Sequence, residues 1–180
     1  MKKYFKPVII TESESLCIRK FLPEDADAVF LYRSLEEVAR YQYWQPYTKE
    51  QASDFVNQCK DSDMATEGGW NGFAIVYKES GQLIGDCAVK ITGHAAEIGC
   101  NISPVYQKQG FAREAMRLVI DMCFNLRGVK VVCGITDSEN AASVGLMQAI
   151  GMSKTTDFVN RIMCKGVWCI EHEYSIKKAE

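Results

Sequence analysis

Three β-rich runs separated only by short turns constrain the fold of this chain more than any other feature. The runs cover residues 73–78, 83–92 and 96–102. Short turns join antiparallel strands, because parallel pairing needs a crossover of about a dozen residues or more. The sequence therefore predicts a three-stranded antiparallel meander. Pro104 is expected to end its third strand, since proline has no N–H to donate to a neighbouring strand.

Helices and strands alternate after the meander. Residues 110–126 carry apolar side chains at helical spacing on one face and charged side chains on the other. Further strands are predicted at 15–21, 129–135, 155–158 and 167–176, and further helices at 24–33, after Thr48, and at 140–150. There is no internal repeat or linker, so the sequence predicts one α+β domain over residues 1–180.

Composition and charge narrow the class of function. The 180 residues carry 21 Lys and Arg against 23 Asp and Glu, a formal charge of -2. A chain of this length buries enough surface to fold without a disulfide or metal, and its charge disfavours a dedicated nucleic-acid binder. We find no export signal and no run of roughly 18 apolar residues that would span a membrane. We expect a cytoplasmic protein that binds neither membrane nor nucleic acid.

Eight cysteines raise the question of a redox or metal site. No two of them have Cys-x-x-Cys spacing, and most lie in apolar runs, where a free cysteine behaves as a small hydrophobic residue. Only two histidines are present. We therefore predict buried structural thiols and no metal. A thiol-redox or metal protein is the competing hypothesis, and it is based on the cysteine count alone.

The junction between the meander and the clear helix is the best candidate for chemistry, and it reads Gln107-Lys-Gln-Gly-Phe-Ala112. A helix begins with unpaired N–H groups and the positive end of its dipole, which together bind phosphate. Gly110 removes the Cβ where a phosphate approaches the backbone, and Ala112 keeps the next contact small. The segment lacks the glycine motifs of nucleoside-triphosphate and dinucleotide sites. By itself it is equally compatible with a glycine that simply begins a helix.

Three stretches together resemble the GNAT N-acetyltransferase superfamily, particularly its branch of ribosomal-protein N-terminal (serine/alanine) acetyltransferases. Residues 16–25 resemble that branch's first strand and helix start, and residues 97–112 its strand and coenzyme A loop. Residues 137–143, followed by 150–152, resemble its second cofactor contact and the end of the next helix. The resemblance implies a mixed, mostly antiparallel sheet of six to seven strands with about four helices. This sheet would splay open at the cofactor site, near Ile102.

The resemblance also implies that an amine attacks acetyl-coenzyme A directly. The pantetheine arm would pair with the backbone of Asn101, Ile102 and Ser103. The pyrophosphate would lie on Gln107, Lys108, Gln109, Gly110, Phe111 and Ala112. Asn140 and Ser143 would make further cofactor contacts. The N–H of Ile102 or Ser103 would polarise the thioester carbonyl.

Two catalytic roles follow from the same resemblance. Glu97 would act as the general base, and Ser143 would give a proton to the departing thiolate. Many superfamily members use a tyrosine of the last helix for the second role, but that helix has no tyrosine here. Structural alternatives remain open: Glu97 as a surface strand residue, Asn140 as a helix N-cap, and Ser143 as an ordinary first-turn serine.

The aromatic loop, residues 41–47, is the candidate for binding the acceptor. Tyr43 and Trp44 could line the acceptor site together with Glu97, or the loop could simply pack on the core. The acceptor would be a peptide or protein N-terminus or a small amine, and a homodimer is compatible with the sequence. The alternative function is a non-catalytic acyl-coenzyme A binding or sensing domain.

Overall fold

The computed structural model describes residues 7–179, which form eight strands, five α-helices and two short 3-10 segments. The strands are β1 (Ile9–Glu12), β2 (Leu16–Arg19), β3 (Trp70–Tyr77), β4 (Gln82–Thr92), β5 (Ala95–Ile102), β6 (Val131–Asp137), β7 (Ser153–Cys164) and β8 (Val167–Lys177). The helices are α1 (Ala26–Arg33), α2 (Glu36–Ala39), α3 (Lys49–Cys59), α4 (Phe111–Asn125) and α5 (Ala141–Ala149), and the 3-10 segments are Pro23–Asp25 and Pro104–Tyr106. None of the helices described is long and apolar enough to cross a membrane.

All strands belong to one sheet, in the order β1-β2-β3-β4-β5-β6-β8-β7. Only β5 and β6 pair in parallel, and every other neighbouring pair is antiparallel. The predicted meander is present as β3, β4 and β5. The α+β fold with a mixed, mostly antiparallel sheet is confirmed. The sheet has one strand more than expected, because the short, half-exposed β1 has little apolar signal in the sequence.

Helices cover both faces of the sheet. Helices α4 and α5 pack on one face through fully or nearly fully buried side chains such as Val119 and Met147. Helices α1 and α3 pack on the other face, where Val29 and Val56 belong to one buried cluster with Ala74 of β3. Because β3 is covered on both sides, its residues form an almost continuous apolar run instead of an alternating one.

A V-shaped gap opens in the middle of the sheet between β5 and β6. The two strands pair only from Ala95–Val131 to Glu97–Cys133. Beyond this point β5 stays paired with β4 as far as Ile102 but has no partner on its other side. Helix α5 packs on β6 where the strands part, since a Cβ on Gly134 would lie 2.7 Å from the Cε of Met147. The gap has the position that the family resemblance predicted.

Candidate active site

The edge of β5 that faces the gap offers unpaired backbone groups. The Ser103 N–H donates to the Ile84 carbonyl of β4 at 2.8 Å, and the Asn101 carbonyl also points toward β4. Residues that bond to a given neighbour alternate along an antiparallel strand. Cys100 and Ile102 therefore direct their N–H and C=O groups into the gap. Since β4 already engages the Ser103 N–H, Ile102 is the better placed of the two predicted donors.

The loop before α4 presents a row of N–H groups. Gly110, the N-cap residue, has φ 93°, and Lys108 has φ 60°, so both adopt the left-handed conformation. Within the part of the chain that the structure describes, no hydrogen bond uses the N–H groups of residues 108–113. Together with the positive end of the α4 dipole, these donors form a concave site that suits an anion.

Two glutamines brace this loop from inside. Gln107 Nε2 donates to the Ile102 carbonyl at 2.9 Å, and Gln109 Nε2 donates to the Val105 carbonyl at 2.9 Å. The Gln107 N–H is also engaged, by the Pro104 carbonyl at 3.2 Å. The unpaired donors of the loop therefore begin at Lys108, and the bond from Gln107 ties the loop to the end of β5.

Glu114, in the first turn of α4, is a residue whose role the sequence did not reveal. Its carboxylate accepts hydrogen bonds from the hydroxyls of Ser13 and Ser15, the latter at 2.7 and 2.8 Å. Burial alone would raise the pKa of Glu114, but the serine hydrogen bonds outweigh it and lower the pKa. The negative charge also suits the start of a helix. The turn between β1 and β2 is thus fastened to the beginning of α4.

Asn140 and Ser143 lie at the start of α5, beside the β6 side of the gap. The Asn140 Oδ1 accepts from the Ser143 N–H at 3.1 Å, so Asn140 is the N-cap of α5. Ser143 lies one helical turn before Met147 and on the same face, which packs on β6 at Gly134. Among the described residues, neither the Ser143 hydroxyl nor the Asn140 Nδ2 makes a hydrogen bond, so both remain available to a ligand.

Glu97 lies on β5 at the last residue paired with β6, on the sheet face covered by α1 and α3. Its side chain is 26% exposed, and its Oε2 lies 3.7 Å from the Nζ of Lys90. Burial raises the pKa of Glu97, the Lys90 charge lowers it, and the charges of Glu173 and Glu171 raise it, with a net increase. A carboxylate with a raised pKa is a stronger base, as proton removal from an amine requires.

Space is available next to Glu97 on the same face. Gly99 follows two residues later, and a Cβ placed there would meet no atom of the described chain within 4 Å. This open space lies between the Glu97 carboxylate and the end of β5 at Ile102.

Lys90→Met is expected to move the acid limb of the rate profile to higher pH. Lys90 lowers the pKa of Glu97, so its removal raises that pKa, and a base is active only above its pKa. The rate at neutral pH should fall severalfold and recover at alkaline pH, as measured by kcat/KM against pH. Lys78→Met is the matched control, since Lys78 pairs with Glu12 at 3.5 Å and donates to the Ser13 carbonyl at 2.9 Å, and neither contact involves Glu97. An unchanged profile for Lys90→Met would remove Glu97 as the titrating base.

The aromatic loop lies across the Glu97 face, and two of its tyrosines hydrogen-bond to other parts of the chain. The Tyr43 hydroxyl donates a hydrogen bond to Glu171 of β8, which is only 7% exposed, although Tyr43 as a whole is 69% exposed. Burial and this hydrogen bond raise the pKa of Tyr43. Tyr41 donates to the Glu139 carbonyl at 3.2 Å. The strand register places Glu171 on the same face as Glu97, so Tyr43 lies on the predicted acceptor side.

Trp44, the other predicted acceptor residue, packs inward. Its ring lies 4.8 Å from that of Tyr47 and 4.7 Å from the guanidinium of Arg33. Trp44 thus packs on Tyr47 and Arg33, whereas Tyr43 is exposed. That Tyr43 and Trp44 line the acceptor site stays a prediction.

A buried charged network under this loop was not predicted. Asp86 of β4, 2% exposed, accepts hydrogen bonds from Tyr32, Arg33 and Asn101. Burial alone would lower the pKa of Arg33, but the Asp86 carboxylate raises it. The signal in the sequence was a single aspartate within the apolar run 83–92. The Asn101 side chain belongs to this network and its backbone carbonyl points toward β4, so neither is directed into the gap where the cofactor contact was predicted.

The cysteine thiols have the properties of structural residues. Burial raises the pKa of Cys100, Cys123 and Cys133 to about 12, which keeps these thiols protonated and unreactive near neutral pH. All eight are free thiols. Across residues 7–179, no group of three or more His, Cys, Asp or Glu side chains is arranged to hold a metal ion.

The comparison with known proteins decides the family. A profile of the acetyltransferase (GNAT) domain matches residues 15–153. The chain belongs to the GNAT acetyltransferase family. N-acetyltransferase p20 of Bacillus licheniformis, itself uncharacterized, is 30% identical over 172 residues, which cover 93% of this chain and 96% of p20. The GNAT resemblance stated from the sequence is confirmed, and the chain is an N-acetyltransferase that uses acetyl-coenzyme A.

Solved structures of GNAT enzymes share the fold. A GNAT acetyltransferase from Bacillus anthracis superposes with a TM-score of 0.81 at 26% identity, covering 96% of this chain and 98% of that one. The ribosomal-protein-S5-alanine acetyltransferase of Vibrio fischeri superposes with a TM-score of 0.76 at 21% identity, covering 94% and 96%. At 21% identity, the similarity to the Vibrio fischeri enzyme shows only that the two chains share a fold.

Proposed function

We propose that this GNAT enzyme moves the acetyl group to a primary amine by direct attack, at the gap between β5 and β6. The observation that carries the proposal is a row of unpaired N–H groups that is interrupted at residues 103–107. It begins at Cys100 and Ile102 on the open edge of β5 and continues through residues 108–113 at the start of α4. An extended amide-containing arm that ends in a pyrophosphate fits such a row, because the edge can pair with the arm and the helix start can bind the anion.

Residues around the gap are assigned to accept the proton, stabilise the charge and protonate the leaving group during the transfer. The acceptor nitrogen forms a bond to the acetyl carbon, the carbon–sulfur bond breaks, and the thiolate leaves. Glu97 takes the proton that the nitrogen loses. The Ile102 N–H stabilises the negative charge that develops on the carbonyl oxygen. The Ser143 hydroxyl, which has no partner among the described residues, donates a hydrogen bond or proton to the thiolate.

Acceptor binding is assigned to the Glu97 face. We propose that Tyr43 and Glu97 border the acceptor, which enters over the open space at Gly99. A protein or peptide N-terminus and a small amine both carry the ammonium group that must lose a proton here. The fold shared with the Vibrio fischeri enzyme, whose name gives ribosomal protein S5 as its substrate, makes peptide α-amines the first class to test.

A screen with labelled acetyl-coenzyme A tests the function. Peptides that begin with serine or alanine and small amines such as spermidine are offered as acceptors, and labelled product is separated by mass. We expect turnover that requires one of these acceptors. Tight coenzyme A binding with no transfer to any acceptor would support the alternative, a non-catalytic acyl-coenzyme A binding or sensing domain.

A further inference from the structure

Arg33 connects the cofactor strand to the aromatic loop through one enclosed set of contacts. Its guanidinium binds Asp86 through two hydrogen bonds, Nε to Oδ2 at 3.0 Å and Nη2 to Oδ1 at 2.7 Å. The two side chains are only 5% and 3% exposed. Asn101 Nδ2 donates to the same carboxylate at 3.1 Å, one residue before Ile102. The ion pair is thus attached to the open edge of β5.

The aromatic loop contacts the same guanidinium from the other side. Arg33 Nη1 donates to the Tyr47 hydroxyl at 3.1 Å. The Arg33 Cζ also lies 4.7 Å from the ring centre of Trp44 and 3.9 Å from that of Phe55 in α3. One side chain therefore touches β4, α3 and the aromatic loop, and each of these contacts depends on the planar, forked shape of the guanidinium.

Stability alone is a poor explanation for this arrangement. A buried ion pair loses hydration on folding, and well-packed apolar residues of the same volume often replace it without loss of stability. The chain contains a second pair of the same kind, Arg19–Asp25, with bonds of 2.7 and 2.8 Å and side chains 10% and 7% exposed. The described hydrogen bonds of Arg19 go to Asp25 and to the Lys20 carbonyl, and none goes to β5 or the aromatic loop, so it supplies an internal reference for a purely structural Arg–Asp pair.

We propose that Arg33 is a positioning residue. It fixes where the aromatic loop lies relative to the open edge of β5 that faces the gap. It acts through Asn101 on one side and through Trp44 and Tyr47 on the other, and it touches neither reactant. This inference rests on the proposed acetyl transfer at the gap. Loss of the guanidinium fork should release the loop and weaken acceptor recognition, while the coenzyme A site at residues 108–113 stays intact.

Trp44 provides a direct readout of loop position. In a Trp70→Phe, Trp168→Phe background it is the only tryptophan, since the chain has 3. Arg33→Lys keeps the charge, but an ammonium group cannot make all the contacts of the guanidinium at once: two bonds to Asp86, one bond to Tyr47, and stacking on the rings. The aromatic loop should therefore loosen, and acrylamide quenching of Trp44 should rise about twofold or more. The Kd for coenzyme A, measured by calorimetry, should change by less than about threefold, because the anion site depends on backbone donors.

Arg19→Lys is the matched control, with the same chemical change in an equally buried pair. It should leave Trp44 quenching unchanged, even where its melting temperature falls as far as that of Arg33→Lys. With the acceptor that turns over in the amine screen, Arg33→Lys should raise KM about tenfold with a smaller change in kcat, since bound reactants still meet in the gap. Tyr47→Phe removes only the 3.1 Å hydrogen bond between Arg33 and Tyr47, so it should raise Trp44 quenching and KM by less than Arg33→Lys does. This variant keeps the test possible if Arg33→Lys does not fold.

The outcomes distinguish a failure of the positioning role of Arg33 from a failure of the proposed acetyl transfer. Equal quenching in Arg33→Lys and the parent, or equal increases in the Arg33 and Arg19 variants, would overturn the positioning role. A rise in quenching with Arg33→Lys alone would support it. If coenzyme A does not bind the unmodified protein, the proposed acetyl transfer fails and the inference fails with it. If coenzyme A binds but Trp44 does not respond to Arg33→Lys or Tyr47→Phe, only the positioning role is refuted.

Discussion

Replacing Gly110 with aspartate is expected to weaken coenzyme A binding by about 100-fold or more, which corresponds to roughly 2.8 kcal/mol. The backbone at Gly110 has φ 93°, a conformation that side chains disfavour, and the next residues present the N–H groups of the proposed anion site. The variant therefore strains the loop and places a carboxylate where a pyrophosphate would bind. Calorimetric titration with coenzyme A measures the effect.

Gly93→Asp is the control for Gly110→Asp. It shows whether an aspartate at any glycine of positive φ weakens coenzyme A binding, or only one at the proposed anion site. Gly93 also has a positive φ, 56°, and no described atom lies within 4 Å of a Cβ placed on it, but it belongs to the turn at the other end of β5. We expect Gly93→Asp to bind coenzyme A like the parent. Gly110→Ala, which adds strain without charge, should be intermediate. Parent-like affinity of Gly110→Asp would refute the assignment of the loop.

Replacing Glu97 with glutamine is expected to lower kcat by about 10²- to 10⁴-fold, the usual contribution of a general base. The change is nearly isosteric, so the cofactor contacts at Ile102 and residues 108–113 should persist and the Kd for coenzyme A should stay the same. The acid limb of the pH profile should disappear, because the group that titrates there is gone. Steady-state kinetics over a range of pH measures both effects.

Glu173→Gln is the neighbouring control for Glu97. Glu173 raises the pKa of Glu97, so its neutralisation should lower that pKa and move the acid limb to lower pH. The maximal rate at alkaline pH should remain, since Glu97 is still present. A Glu97→Gln variant with normal kcat, or a Glu173→Gln variant that loses as much rate as Glu97→Gln, would show that Glu97 is not the base.

Local patterns in the sequence were sufficient to predict the meander and the helix that begins after Gly110. The β3–β4 and β4–β5 turns leave no room for a crossover, so antiparallel pairing follows from chain length alone. A positive φ is needed at Gly110, and glycine meets that need at no steric cost. The family resemblance added the gap between β5 and β6, which depends on how α5 packs on β6 and is not encoded in the periodicity of either strand.

Contacts between distant parts of the chain could not be predicted in this way. Arg33 and Asp86 are 53 residues apart, and Tyr43 and Glu171 are 128 apart. Periodicity shows only that a residue lies on a buried or an exposed face, and it gives no partner for a buried charge. Because an unpaired buried charge is costly, an aspartate such as Asp86 inside an apolar strand implies a nearby cation, but the pattern does not say which one. Only the packing of α1 on the sheet identifies that cation as Arg33.

Hydrogen–deuterium exchange with and without coenzyme A tests the central claim most directly. If the row of unpaired donors holds the cofactor, exchange should slow at Cys100, at Ile102 and at residues 108–113, whose N–H groups have no described partner in the chain. The β7–β8 hairpin should exchange at the same rate in both states. Coenzyme A binding that protects other segments and leaves residues 100–113 unchanged would contradict the assignment of the gap and the α4 loop as the cofactor site.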